Sequence, residues 1–150
     1  MIQNRKWNFL RLDSFDIEIP FSKTRTEIIK LLREKNVVID TSVEMQVVIK
    51  SKLLSLDIVF YIVFQFDNEK LISITMSPNE FLEGNTLHSR YKEIQTALEK
   101  EFGHSCNMVQ TFLNLLDPDS CSVRWQKNGI KIEHYLLNRF GMEEIVRIKL

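Results

Sequence analysis

Phe66-Asp67-Asn68-Glu69-Lys70-Leu71-Ile72-Ser73-Ile74-Thr75-Met76 is echoed at an offset of 74 by Phe140-Gly141-Met142-Glu143-Glu144-Ile145-Val146-Arg147-Ile148-Lys149-Leu150. Phe opens both stretches, Glu recurs in register, and so do the apolar positions from Leu71 and Ile145 onward. Residues 24–76 read as one helix followed by strands, and residues 86–150 read the same way. The pattern suggests two α-then-β units sharing one core. Any two hairpins with an apolar face align at some offset, so coincidence is the plainer alternative to a true repeat. The order helix, strands, helix, strands holds on either account.

Outward from the echo, the strongest strand is Ile58 to Phe66. Phe60, Ile62 and Phe64 share one face, Val59, Tyr61 and Val63 the other, and both faces are apolar. Helices on one side of a sheet leave the second set wet, so something must cover it: residues 106–116, the N-terminal arm, a second copy or a partner. Asp67-Asn68 signals a turn and Leu71 to Met76 returns as the next strand. Val43 to Ile49 reads as a preceding strand, and Phe15 to Ile19 alternates as a half-buried one that Pro20 ends. Trp7, Phe9 and Leu10 form a lead-in strand or arm.

Thr24-Arg25-Thr26-Glu27 is a capping box, opening a short helix with Ile28, Leu31 and Leu32 on one stripe. Leu87, Tyr91, Ile94, Leu98 and Phe102 fall at helical spacing, and Gly103 stands where a left-handed C-terminal cap belongs. A further short helix is expected over 106–116, stopped at Asp117-Pro118. Strands at Val123–Gln126, Ile130–Leu137 and Glu144–Lys149 close the chain, the first two joined by Asn128-Gly129. Together these predict one α+β domain over 1–150: a mainly antiparallel sheet with two principal helices on one face, the echo admitting two α-then-β half repeats. Phe60, Ile62, Phe64, Leu71, Ile94, Leu98, Phe102, Ile132 and Ile148 are the expected core.

Composition narrows the function. The chain is 44% hydrophobic and 27% charged, a globular profile, and 20 basic residues balance 20 acidic ones. A dedicated nucleic-acid binder carries a basic excess, because its affinity comes from Lys and Arg displacing counterions. Neutrality therefore argues against nucleic acid and anionic membranes as primary partners. Residues 1–15 carry Arg5, Lys6 and Arg11 and never reach the apolar run of a signal peptide. The longest apolar run, Ile58–Phe64, is seven residues, far short of a membrane span. A cytoplasmic protein is expected, with Cys106 and Cys121 reduced.

Chemistry-bearing motifs are sparse. His104, Cys106, Cys121 and His134 are metal-ligand types, but the two cysteines lie 15 apart with no tight pair. His134 falls within an alternating strand and reads as core-lining. Neither cysteine carries the local signature of a nucleophile. Asp117 and Asp119 are turn residues, and Glu143-Glu144 opens a strand. Phosphate-binding loops, dinucleotide fingerprints and hydrolase elbows are absent from the sequence. The expectation is a non-enzyme with no cofactor and no metal. For surface recognition the candidates are Trp125 and Arg124, with Tyr135 and Arg139 on the next strand, and Asp117 and Asp119 as complements to a basic cleft. A core position for Trp125 is the plainer alternative.

Ile17-Glu18-Ile19-Pro20 before a capped helix, a hairpin turning at Asp67-Asn68, a second helix ending Glu101-Phe102-Gly103, and a late strand carrying Trp125 make up the overall pattern. It resembles small immunity proteins encoded beside bacterial polymorphic or contact-dependent toxins. The resemblance rests on size and element order and includes no specific motif. It implies one-to-one binding that blocks a toxin domain. Such proteins are often strongly acidic when the toxin is a nuclease. This chain is neutral, so the implied toxin need not be basic. The alternatives are a homodimeric binding module or secretion-chaperone-like protein and, third, a small enzyme using Cys106 or His104.

Overall fold

A computed structural model describes residues 7–82, 84–104, 122–138 and 142–150. The expected helix at 106–116, both cysteines, Asp117, Asp119 and Arg139 lie outside the described residues.

Among the described residues ten elements follow in chain order: β1 (Phe9–Leu12), β2 (Ile17–Pro20), α1 (Arg25–Glu34), β3 (Gln46–Lys52), β4 (Val59–Asp67), β5 (Lys70–Pro78), α2 (Gly84–Phe102), β6 (Ser122–Lys127), β7 (Ile130–Asn138) and β8 (Met142–Lys149). β1 and β2 form a two-stranded ribbon, and the other six strands form one sheet in the order β3-β4-β5-β8-β7-β6. Every pairing is antiparallel. The α+β class and the two helices on one face are as expected. Among the described residues, no helix is long and apolar enough to cross a membrane.

Local chemistry explains the boundaries. Thr24 caps α1: its hydroxyl accepts from the Glu27 N–H at 3.2 Å, and the Glu27 carboxylate accepts from the Thr24 N–H at 2.8 Å. Asn128 and Gly129 both take positive φ, 52° and 81°, the twist a tight hairpin requires. Two expected strands start late, each because a residue turns into the left-handed region. Asp16, at φ 51°, delays β2 to Ile17, and Met45, at φ 62°, delays β3 to Gln46.

Strand alternation builds the core in rows. Val47, Phe64, Ile74, Ile148, Ile132 and Trp125 face one another across all six strands, and Ile49, Ile62, Met76, Val146 and His134 form the next row. Leu71 and Ile74, three apart, both point inward because the β4–β5 register shifts beside Phe66, leaving Ile72 unpaired as a bulge. Ile28 and Leu32 of α1, Ile94 and Leu98 of α2, and Leu12, Ile17 and Ile19 of the ribbon complete the same cluster. Of the expected core, only Phe102 remains partly exposed, and it packs against the cluster.

The two halves meet at one seam. Each is a helix followed by a three-stranded meander, and β5 pairs with β8 in the middle of the sheet. The register there is Ser73 with Lys149, Ile74 with Ile148 and Thr75 with Arg147, and the Leu150 N–H donates to the Ile72 carbonyl at 3.0 Å. An offset of 74 maps this set of pairings onto itself, so a local two-fold axis passes between Ile74 and Ile148. Away from the seam the correspondence slips. Phe64 faces Ile74 and Ile132 faces Ile148, an offset of 68.

Candidate functional site

Two sites emerge on opposite faces of the sheet. On the helix side, a polar network is buried among apolar rows. Arg90 of α2 donates from Nε to Glu144 Oε1 at 3.0 Å and from a terminal nitrogen to the Glu80 carbonyl at 2.6 Å. The other Glu144 oxygen lies 3.0 Å from His134 Nε2, and His134 Nδ1 lies 2.7 Å from Gln95 Oε1. Gln95 in turn donates to Glu99 at 3.1 Å. The Tyr91 ring stacks on His134 at 4.0 Å between centroids, and its hydroxyl donates to the His134 carbonyl at 3.4 Å.

Burial holds the His134 imidazole below its ordinary pKa, against the opposing pull of the Glu144 carboxylate. A neutral ring that donates through Nε2 to Glu144 must accept at Nδ1. Gln95 turns its oxygen to Nδ1 and gives its amide N–H to Glu99, so meeting that need takes a turn of the Gln95 amide that gives up the bond to Glu99. His134 is wholly buried, and both its nitrogens are engaged. The ring therefore has no face or nitrogen left for a substrate, and the network clamps α2 to β7 and β8.

The sequence reading missed this network. Glu144 shares the inward parity of Val146 and Ile148, His134 that of Ile132 and Leu136, and Arg90 sits on the buried stripe beside Tyr91. Charged groups on three inward positions need partners, and that need was the available signal.

On the opposite side the sheet is open. Val59, Tyr61 and Ile72 are 40%, 39% and 37% exposed, whereas Phe60, Ile62 and Phe64, one residue away along β4, are fully buried. On the same face the β8, β7 and β6 strands carry Arg124, Lys131, Arg147 and Lys149, with Glu133 and Glu143 as the carboxylates of the same parity. Glu133 is held by Arg124 and Lys149, each at 3.2 Å, and the Arg147 guanidinium lies 5.7 Å from the centre of the Tyr135 ring. Burial raises the Tyr135 phenol above its ordinary pKa, with Arg147 opposing. The open face is thus basic and partly apolar, although the whole chain is neutral.

The expected recognition residues separate. Arg124 and Tyr135 lie on the open face. Trp125 does not: it is 5% exposed, points inward opposite Ile132, and donates from Nε1 to the Gly103 carbonyl at 2.7 Å. Strand parity puts it in the core, where Phe102 lies 6.5 Å from its ring and Trp7 packs edge-on against Phe102. His104 is exposed, 3.6 Å from Glu99. Among the described residues, no group of three or more His, Cys, Asp or Glu is placed to hold a metal ion.

No protein family, curated protein or solved structure matches this chain.

Proposed function

We propose that this protein works by binding another protein across the open face of its sheet, and that the partner is a toxin domain which the binding neutralises. The observation that carries the binding reading is the basic patch on the open face, with exposed Ile72 at one end of the β4–β5 pair and exposed Val59 and Tyr61 at the other. Large apolar side chains left exposed on a face beside such a patch suit an interaction site. Tyr and Arg together supply the aromatic and bidentate contacts that dominate binding energy. The four cations of the patch favour a partner whose surface is acidic, and such complementarity raises the association rate. The proposed contact residues are Tyr61, Arg124, Tyr135 and Arg147. Trp125 supports the patch from beneath without touching the partner.

The test is co-expression with candidate toxin domains, beginning with any that is encoded beside the chain. Protection lost on Tyr61→Asp or Arg147→Glu, with an unchanged melting temperature, supports the reading. Turnover of a small substrate by the pure protein, abolished by changing Cys106 or His104, overturns it. A stable dimer broken by Tyr61→Asp, with no protected toxin, points to the homodimeric module that shares this surface.

A further inference from the structure

We propose that the protein carries a second, internal site: a cavity of about 270 Å³ beneath the C-terminal half of α2, shaped for one uncharged or amine-bearing apolar molecule of about ten heavy atoms. It lies on the helix side of the sheet and is independent of the open face.

The walls are Phe60, Met76, Ile132, Val146 and Ile148 from four neighbouring strands, roofed by Leu98 of α2. Protein interiors ordinarily hold few voids larger than a water molecule. An enclosed apolar void of about 150 Å³ stays dry and takes up benzene; the volume here, larger and open at its mouth, scales to about ten heavy atoms. The apolar walls offer water few hydrogen-bonding partners, so an apolar occupant is favoured.

The mouth selects by charge. Arg11, Asp13 and Glu18 of the ribbon and Glu101 of α2 form its rim. Arg11 is already held by Asp13 at 3.6 Å, by Glu18 at 3.8 Å, and by Asp16. Three carboxylates around one guanidinium leave the rim acidic. It repels a ligand carboxylate and attracts an ammonium group.

An independent observation points to the same mouth. Leu54 and Ser55, which also line the cavity, take φ of 59° and 56° in succession, closed by the Leu56 N–H donating to the Leu53 carbonyl at 3.0 Å. Among the described residues, the other turn with two consecutive left-handed residues is Asn128-Gly129, where that backbone is cheap. Here it is made from residues that resist it, and the Ser55 N–H is tied to the rim carboxylate of Asp13 at 2.8 Å. Strained backbone of this kind gathers at ligand clamps and active sites.

The experiment uses the full chain with 1-octanol, octylamine and octanoate, read by thermal shift and calorimetry, and with xenon, read by its NMR shift. Octanol and octylamine are expected to raise the melting temperature and saturate one site. Octanoate should bind at least tenfold more weakly than octylamine at pH 7.5. Two separate filling variants, Val146→Leu and Leu98→Phe, should abolish octanol binding in whichever melts cooperatively. Glu18→Gln, on the exposed rim, should narrow the gap between octylamine and octanoate. Failure of all three ligands and of xenon to bind overturns the proposal. So does octanol binding that survives in a filled variant. Octanoate binding as tightly as octylamine overturns the acidic-rim selection.

Discussion

Ile74 and Ile148 stand directly opposite each other where β5 meets β8, and they are also the residues that the sequence echo makes equivalent. The local two-fold axis therefore runs between two copies of the same side chain on the core face. Facing side chains on one side of an antiparallel pair touch, with Cβ atoms about 5 Å apart.

Replacing either isoleucine with Ala should cost about 2–5 kcal/mol, since both are buried and each leaves a cavity. The pair should also be non-additive, with a coupling of at least about 0.5 kcal/mol in a double-mutant cycle. Urea melts of the two single variants and the double variant measure this. Strict additivity would mean that the seam is not packed as described.

Arg90→Met should be among the most damaging substitutions outside the apolar core. It leaves Glu144 buried without its cation, at a cost of about 3–5 kcal/mol. Adding Glu144→Gln to that variant should recover part of the loss, because it removes the unpaired buried charge and keeps an acceptor for His134 Nε2. A double variant no more stable than Arg90→Met would remove the clamp from the account.

Acid should weaken the fold through His134. Its pKa is lowered in the folded protein, so the unfolded chain takes up a proton that the folded one refuses. Stability is then complete above the ordinary value of about 6.5. It falls as the pH drops below that value, by up to about 1.4 kcal/mol per unit, until the folded pKa is reached. Denaturant titrations of the native chain and His134→Gln between pH 7.5 and 5 isolate this contribution as the difference in slope. Parallel curves would exclude it.

Ser55→Gly should stabilise the protein by about 0.5–1 kcal/mol. Glycine relieves the left-handed strain at that position and keeps the N–H that Asp13 accepts, and its own chain entropy offsets part of the gain. A lower melting temperature in the variant would show that Ser55 is not strained there.

The elements set by local chemistry were legible in the sequence. The Thr24 capping box, the Asn128-Gly129 turn, the Gly103 cap and the alternation in β4 each act within a few residues, and each is found where the pattern puts it. The buried network was not legible as a network. Arg90 and Glu144 are 54 residues apart and His134 and Glu144 are 10 apart, so nothing local announces their meeting. Trp125 shows a different limit. Composition alone allowed a surface role, whereas parity with Ile132 on the facing strand decides for the core. The bulge at Ile72 was hidden because it lets Leu71 and Ile74 share a face despite their odd spacing. The cavity had no sequence signature, since a void is a property of how distant side chains fail to fill space.

The single seam sets the order in which the chain can fold. Within each half, successive strands are neighbours in the sheet, so their pairings close short loops quickly. Among the described strand pairings, β5 with β8 joins segments 74 residues apart, and loop closure grows costlier with length. The docking of the two meanders is therefore the step expected to be slow, with Ile74 and Ile148 among the contacts expected to form late. Until they meet, β5 and β8 each present an unpaired edge of β-branched residues to any other copy nearby. A half-assembled chain could trade its own partner strand for a neighbour's, so that crowding during synthesis, rather than any weakness of the finished fold, is where this architecture is exposed.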